Sequence, residues 1–261
     1  GESIVNWMNA DGKVVLLNDI DMSSVTAWTP IGAGVFSWAS NKLTCASGNP
    51  FTGYFDGKGY AVKNFNPVCE NSTAGGVYGL FGCLGAGAVV ENIVFDSSCS
   101  MELKSTAATD CGMLAGLAWD ATIRNITNKG MMKYTGKSDS KKTNIAVVGM
   151  AFSETQDVLI ENVVNEGDLT AVSGGTNQNG GNAVHVAGIL GFGTNHVDVS
   201  KIVHVKDCIN RGNIESATAR ASGIVAACNR FTVIRGCVNY GSNLNTFSEK
   251  TESAGSAARI G

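Results

Sequence analysis

This chain of 261 residues has little proline, few positive charges and no long apolar stretch. With only 3 prolines it is neither collagen-like nor a proline-rich disordered segment. Its 19 Lys and Arg residues against 22 Asp and Glu leave a net charge of −3, so nucleic acid and anionic membranes are not predicted partners. The uncharged run from roughly Gly75 to Val90 is glycine-rich and too short to cross a bilayer, so no membrane insertion is expected.

Common catalytic and metal-binding signatures are also missing. The chain has no HExxH, no GxSxG, no GxxxxGK and no calcium-binding GGxGxD sequence. Its eight cysteines include no CxxC and show no framework spacing. We therefore predict neither a cofactor nor a metal. No secretory leader is recognisable, so any export signal is expected outside this chain.

One short phrase built on a glycine recurs five times. It reads GLFG at Gly79, GMLA at Gly112, GMAF at Gly149, GILG at Gly188 and GIVA at Gly223. A Val- and Ile-rich phrase follows each time and closes 18 residues after the glycine, or 24 in the fourth repeat. From each closing residue to the next glycine the distance varies between 11 and 21 residues. One arm of the repeat therefore has a fixed geometry, and the other is a connection that tolerates insertion.

The short Val- and Ile-rich runs, bounded by Gly or Asn, are typical of strands rather than helices. Such strands have no partner within their own repeat and must pair with their equivalents about 4.8 Å above and below. The sequence thus predicts an all-β chain folded as a parallel β-solenoid. A short amphipathic helix is predicted at residues 3–9 as an N-terminal cap, followed by a strand from Val14. We expect residues 1–66 to form the cap and first turns, and residues 67–261 to hold repeats 79–111, 112–148, 149–187, 188–222 and 223–260, with a sixth cut off at 261.

Asparagine recurs at two phases of the repeat and predicts two stacked amide ladders, in preference to glycosylation of the Asn125-Ile126-Thr127 sequon. The first phase contains Asn92, Asn125 and Asn162, continued by Asp207 and Gly236. The second contains Asn128, Asn165, Asn210 and Asn239. Cys208 and Cys237 share an apolar phase and are predicted to be buried free thiols. A disulfide between Cys99 and Cys111 is kept as an alternative to free thiols.

Two groups of charged residues were weighed as catalytic candidates. Glu91, Arg124 and Glu161 share one phase, continued by Lys206 and Arg235, and this mixture of signs predicts cross-strand charge pairing. Asp19 and Asp21 lie on one strand face, where a turn or cap role is favoured over cation binding or acid–base chemistry.

The fourth repeat carries its six additional residues within TNHVDVSKIVH, which contains His196, Asp198, Lys201 and His204. An exposed loop with incidental polar residues is the favoured interpretation. A metal site or proton-transfer group is the alternative, because histidine and carboxylate side chains supply both.

The variable connections are the favoured source of binding function. Segments starting at Lys133, Val172 and Asn243 occupy the same phase and should project from one edge. Four lysines of the first segment form a candidate site for an acidic glycan, against the plainer interpretation of a solvated loop; they are Lys133, Lys137, Lys141 and Lys142. Trp38, in the polar insertion from Gly34 to Pro50, is a candidate for stacking on a sugar ring, whereas Trp28 is predicted to pack under a turn.

In order along the chain, NDIDMSS, WTPIG, FTGYFDGKGYAVKNF, GLFG and GAVVENIVF resemble the start of GLUG-type repeat domains of bacterial surface proteins. The resemblance covers about Val14 to Gly261 and implies a right-handed parallel β-helix, export, and an adhesin-like role at the cell surface or outer membrane. It implies no reaction and no catalytic residues. The expected partner is a glycan or a host or bacterial surface protein, and a rigid spacer is a further possibility. The alternative is a polysaccharide-active β-helix enzyme, a lyase or glycoside hydrolase, because such enzymes share this fold.

Overall fold

The structure, a computed structural model, describes residues 12–39, 42–70, 74–136, 143–171, 184–196, 200–217, 220–229, 231–245 and 259–260. Within these ranges the regular secondary structure is entirely β, so no helix capable of crossing a membrane is found there. The predicted capping helix at residues 3–9 lies outside the described residues.

Twenty-eight strands make up the described chain. The first fourteen are β1 (Lys13–Val15), β2 (Ile20–Asp21), β3 (Gly34–Ala39), β4 (Lys42–Gly48), β5 (Tyr54–Asp56), β6 (Ala61–Lys63), β7 (Val68–Cys69), β8 (Gly76–Tyr78), β9 (Phe81–Leu84), β10 (Val89–Phe95), β11 (Ser100–Leu103), β12 (Thr109–Trp119), β13 (Thr122–Asn128) and β14 (Met131–Tyr134). The others are β15 (Thr143–Ser153), β16 (Val158–Asn165), β17 (Leu169–Ala171), β18 (Val184–Ala187), β19 (Leu190–Asn195), β20 (Val203–Lys206), β21 (Ile209–Asn210), β22 (Ile214–Ser216), β23 (Arg220–Ser222), β24 (Val225–Cys228), β25 (Thr232–Arg235), β26 (Val238–Asn239), β27 (Asn243–Asn245) and β28 (Arg259–Ile260).

The strands form three sheets that the chain visits repeatedly in one order. The A sheet follows the order β1-β5-β10-β13-β16-β20-β25, with β2, β6, β21 and β26 pairing alongside. The C sheet is β7-β11-β14-β17-β22-β27, and the B sheet is β4-β3-β8-β12-β15-β18-β23-β28, with β9, β19 and β24 alongside. In the described chain all strand pairs are parallel except those of β3 with β4 and β8. The prediction of an all-β chain with parallel strands is confirmed.

The anchor glycines lie in or next to strands of the B sheet. Ala115 pairs with Val148, so Gly149 lies opposite Gly116, where the backbones of β12 and β15 approach too closely for a side chain. A Cβ atom on Gly149 would lie 2.7 Å from the backbone nitrogen of Cys111 and 2.7 Å from the carbonyl oxygen of Gly116. Real Cβ contacts are longer than this, so only glycine fits at this position.

The fixed arm of the repeat runs from the B sheet through the A sheet. Between Gly112 and Gly130 the chain completes β12 and makes the whole of β13, and β14 of the C sheet begins at the next residue. In the fourth repeat part of the extra length falls between β19 and β20, at residues 196–202, where the third repeat has only residues 154–157 between β15 and β16. The fixed arm therefore consists of packed strands joined by a short connection from the B sheet to the A sheet.

Both predicted asparagine ladders are present. Asn125 Nδ2 donates to Asn92 Oδ1 at 2.9 Å and Asn162 Nδ2 donates to Asn125 Oδ1 at 3.3 Å, and all three have positive φ angles between 53° and 59°. Asparagine suits this ladder because it tolerates the left-handed conformation better than most residues. The second, buried ladder links the residues Asn128, Asn165, Asn210 and Asn239 at 2.7–2.8 Å.

One local prediction needs correction. The strand expected from Val14 is two short strands, β1 and β2, separated by residues 16–19, of which 17–19 are exposed. The polar insertion from Gly34 to Pro50 is an antiparallel hairpin of β3 and β4, in which Phe36 and Leu43 are buried. This hairpin ends the B sheet, and its inward apolar residues explain why so polar a segment forms strands.

Candidate functional site

Connections from the B sheet to the A sheet vary from two residues at 120–121 to seven at 196–202. Those from a C-sheet strand to the following B-sheet strand vary more, from three residues at 217–219 to thirteen at 246–258, with others at 70–75, 104–108, 135–142 and 172–183. We call this second set of connections the loop corner. Because the strands on either side are stacked in register, successive loops leave the molecule beside one another.

The C-sheet flank of the loop corner carries an exposed lane of polar side chains. Glu102, Lys133 and Thr170 are register partners on β11, β14 and β17. Glu102 accepts a hydrogen bond from Thr135 Oγ1 at 2.9 Å and lies 3.7 Å from Lys104 Nζ. Lys133 is exposed and forms no ion pair within the described residues, so its ammonium group faces solvent. Lys137, Lys141 and Lys142 lie outside the described residues, and their role stays a prediction.

The B-sheet flank carries a polar ladder that sequence analysis did not find, with buried His185 and Asn144 between half-buried Arg220 and Asp110. Arg220 Nη1 lies 2.9 Å from His185 Nε2, and His185 Nδ1 lies 2.6 Å from Asn144 Oδ1. Since guanidinium only donates, Nε2 accepts and Nδ1 carries the proton that is donated to Asn144. Asn144 Nδ2 in turn donates to Asp110 Oδ1. The ladder holds a neutral imidazole between a cation at one end and a carboxylate at the other.

Both faces of the B sheet are buried, which explains why this ladder is enclosed. His185 is 0% exposed and its ring stacks on Phe192 with centroids 5.6 Å apart. A second apolar cluster continues beside it on the same face through Leu117, Met150 and Phe152. The sequence signal was available: β12 and β15 are almost continuously apolar, the pattern of strands covered on both sides.

The charged lane of the A sheet pairs across strands as predicted. Arg124 Nε lies 3.3 Å from Glu91 Oε2, and Lys206 Nζ lies 2.5 Å from Glu161 Oε1. Glu91 also accepts a hydrogen bond from the Tyr54 hydroxyl, which raises the pKa of Tyr54 to about 12. The carboxylates of Glu91 and Glu161 are therefore already paired with side chains of neighbouring turns.

Asp19 and Asp21 join the first turn to the second, which confirms their predicted turn or cap role. Asp19 accepts hydrogen bonds from Lys63 Nζ at 2.7 Å and from the backbone of Ala61 at 2.9 Å. Asp21 accepts from Asn64 Nδ2 at 2.8 Å and from its own turn. The bonds from Lys63 and Asn64, respectively, lower the pKa values of the two carboxyls.

The histidines of the fourth repeat lie at two different places. His204 is on β20 of the A sheet, with Nε2 3.5 Å from Asp157 Oδ2. His196 follows β19 of the B sheet, and its backbone nitrogen donates to Ser153 O at 2.9 Å. Asp198 lies outside the described residues. No group of three or more potential metal ligands occurs in the described part of the chain, and a metal or proton-transfer role of the segment stays a prediction.

Two tryptophans stand out in the sequence. Trp28 packs as predicted: its indole Nε1 donates to Gly79 O at 2.9 Å and its ring meets Phe65 edge-on at 5.7 Å. The backbone of Trp38 pairs with Leu43 in the hairpin, while its side chain lies outside the described part, so sugar stacking there stays a prediction.

A groove of about 370 Å³ opens beside Trp28 at the N-terminal end of the C sheet. Residues 22–30 form one wall, and Phe65, Val68 and Glu70 belong to the opposite side. A second concavity of about 410 Å³ continues the groove past Pro30 and Tyr78 toward the B sheet. Sequence analysis missed this groove because its walls come from segments far apart in the chain.

Comparison with known proteins identifies no family for this chain. No protein-family model matches it, and no curated protein sequence does. The chain is similar to a solved structure described as a candidate immunoglobulin A1 protease from Bacteroides ovatus, at 17% identity and a TM-score of 0.47. That match covers 98% of this chain and 80% of the other. A likeness of this size identifies neither a family nor a function.

Proposed function

We propose that this chain is a right-handed β-solenoid module, displayed outside a bacterial cell, which binds a glycan through the loop corner without catalysing a reaction. The observation that carries the proposal is the position of the variable connections. Within the repeats, the three longest connections, of eight, twelve and thirteen residues, all lead from the C sheet to the B sheet, whereas the C-sheet strands that precede them keep their register. Loops separated in this way from a rigid core can vary their ligand contacts without disturbing the packing.

The chemistry of the loop corner suits a hydroxyl-rich or acidic ligand. The segments 172–183 and 243–257 consist largely of Asn, Ser, Thr and Gly, which donate and accept hydrogen bonds. Lys133 and the three lysines at 137, 141 and 142 add positive charge in and next to the connection 135–142. An acidic glycan therefore fits this surface better than a neutral one.

The carboxylates support binding over hydrolysis. A glycosidase of the usual kind needs two carboxyl groups positioned on opposite sides of the scissile bond. Asp19, Asp21, Glu91 and Glu161 instead accept hydrogen bonds or ion pairs that connect adjacent turns. The resemblance to GLUG-type repeats points in the same direction, toward an adhesin-like module at the cell surface.

A glycan array that includes mucins and acidic polysaccharides tests the proposal. Lys133→Glu should weaken binding to an acidic glycan by about tenfold, because it replaces attraction by repulsion at the ligand surface. Lys129→Glu is the matched control, since Lys129 is equally exposed but follows an A-sheet strand, and it should change affinity less than about twofold.

Three results would contradict this function. The absence of binding to every glycan on the array would favour a role as a rigid spacer. Equal losses of glycan affinity in Lys133→Glu and Lys129→Glu would show that the loop corner is not the binding surface. Depolymerisation of any polysaccharide by the purified chain, abolished by Asp19→Asn, would make it an enzyme.

A further inference from the structure

The C sheet ends at β7, whose outer edge has no neighbouring strand among the described residues. On its inner side β7 pairs with β11: the backbone nitrogen of Glu102 donates to Pro67 O at 3.1 Å, and that of Lys104 donates to Cys69 O at 2.9 Å. Alternate residues of a strand direct their backbone groups to opposite sides. Val68, between Pro67 and Cys69, therefore directs its N–H and C=O groups away from β11.

Those two groups of Val68 make no backbone hydrogen bond in the described part of the chain, and its side chain is 54% exposed. The other two sheets extend further than the C sheet at this end of the molecule. In the A sheet, β1 and β2 lie beside β5 and β6, and in the B sheet the hairpin of β3 and β4 lies beside β8. In the first turn, residues 22–30 pass from β2 to Ile31, which bridges to Phe81 in the B sheet, without contributing a C-sheet strand.

The groove of about 370 Å³ lies along this edge, and Val68 is among its lining residues. Trp28 and Phe65 supply apolar walls. Glu70 is the one charged residue of the lining; its side chain is 72% exposed and only loosely paired with Lys104 at 3.7 Å. The groove therefore combines an unpaired strand edge, apolar walls and a negative charge.

We propose that this groove binds an extended peptide segment of a partner protein, which adds a parallel strand to the C sheet beside β7. The segment's backbone bonds to the N–H and C=O groups of Val68, an apolar side chain packs against Trp28 and Phe65, and a basic side chain lies near Glu70. Addition of a strand to an exposed sheet edge is a general mode of peptide recognition, in which main-chain bonds supply affinity and side-chain pockets supply specificity.

The groove fits a peptide better than a sugar ring. A sugar ring stacked on Trp28 would leave the outward N–H and C=O groups of Val68 without backbone partners. The unpaired groups of Val68 instead match the spacing of a peptide backbone, as the continuing ladder from β7 through β11 to β14 illustrates.

The test uses the whole chain and a labelled synthetic peptide, KGMMKYTG, which repeats residues 129–136. This sequence already forms a parallel C-sheet strand and carries both apolar and basic residues. Fluorescence anisotropy should show saturable binding. The peptide KGMMPYTG, whose proline removes one backbone donor, should bind at least about tenfold more weakly.

Variants of the protein locate the site. Val68→Pro removes the outward N–H but keeps the bonds of Pro67 and Cys69 to β11, and it should weaken binding of KGMMKYTG by about tenfold or more. Val68→Ala keeps the N–H and should stay within about twofold of the unmodified chain. Glu70→Lys should weaken binding severalfold, with less effect at high salt.

The absence of saturable binding of KGMMKYTG overturns the proposal, as does equal affinity of Val68→Pro and Val68→Ala. If Val68→Pro fails to fold, equal binding of KGMMKYTG and KGMMPYTG to the unmodified chain overturns it instead. Binding of a neutral oligosaccharide that excludes the peptide would assign the groove to a sugar. Val68 belongs to β7 and lies outside the loop corner, which is tested separately with Lys133→Glu.

Discussion

Asn165 shows how a single side chain connects three successive turns of this chain. Its Nδ2 donates to Gly167 O at 2.9 Å and to Asn210 Oδ1 at 2.8 Å, and its Oδ1 accepts from Asn128. The residue is fully buried, where unsatisfied polar groups are costly. The repeat of asparagine at this phase is therefore a structural requirement of the stack, and the ladder was predictable because stacking places identical side chains one above another.

Cysteine behaves as a small apolar residue at most of its positions, and thiol reactivity should follow burial. All eight cysteines are free thiols, and burial raises the pKa of Cys99 to about 11 and that of Cys208 to about 12. Because the thiolate is the reactive form, iodoacetamide at pH 8 should modify the exposed Cys45 and Cys228 first. Cys99 and Cys208 should react only after unfolding. Peptide mass mapping checks this order, and equal rates for Cys208 and Cys228 would contradict it.

At the scale of the strands, the anchor glycines allow the central B-sheet strands to approach one another. Gly149→Ala should lower the free energy of unfolding by roughly 3 kcal/mol or more, since its Cβ would collide with backbone atoms that cannot move independently. Urea denaturation measures the change.

The matched control is Gly59→Ala. Gly59 has a positive φ of 81°, but no neighbouring atom lies within 4 Å of the position that a Cβ would take, so only the backbone conformation opposes a side chain there. The expected loss is about 1–2 kcal/mol. A loss at Gly149 no larger than that at Gly59 would show that the close strand approach is not the reason for the recurring glycine.

Asp56, where β5 leads into the turn before β6, makes the stability of the fold decrease at acidic pH. Burial of Asp56 opposes its ionisation, but hydrogen bonds from Lys58 and Asn92 outweigh that effect and lower its pKa from 3.8 to about 2. A carboxyl whose pKa is lower in the folded state stabilises the fold above its unfolded value, and that contribution is lost as pH falls from about 4 toward 2. The unmodified chain should therefore lose stability across this interval.

Asp56→Asn should be less stable than the unmodified chain at pH 6 and should lose less stability between pH 4 and pH 2. Urea midpoints at pH 6, 4 and 2.5 test both statements. Parallel pH curves for the two proteins would show that Asp56 does not contribute to acid sensitivity.

At the scale of the whole molecule, stability depends on position along the stack. Ile160 and Ile234 belong to one inward lane of the A sheet, joined through Val205. Ile160 is fully buried, whereas Ile234, in the last described turn of that sheet, is 47% exposed. Each turn buries its apolar face against its neighbours, so an apolar residue in the last turn contributes less to the free energy of unfolding.

Ile160→Ala should lower the free energy of unfolding by about 3–4 kcal/mol, and Ile234→Ala by less than about 1 kcal/mol. Urea denaturation of both variants measures the difference. Similar losses at the two positions would mean that the end of the described stack is as well packed as its middle.

Much of the fold was predictable from residue order alone. The parallel strands, both asparagine ladders and the charge pairs of Glu91 with Arg124 and of Glu161 with Lys206 all follow from residue patterns that recur in successive repeats. A stack converts that recurrence directly into spatial proximity, so equivalent residues of successive repeats must meet. Candidate site residues were predicted less well, since Lys133 and the histidines carry no repeating pattern.

The sequence by itself determined which residues of successive repeats stack, because that depends only on period and composition. The tertiary structure alone decided what happens between different sheets and at the end of the stack. The hairpin of β3 and β4, the enclosed ladder from Asp110 to Arg220 and the groove beside Val68 all depend on segments that share no phase of the repeat. Their meeting is set by how the chain crosses from one sheet to another, which no periodic pattern encodes.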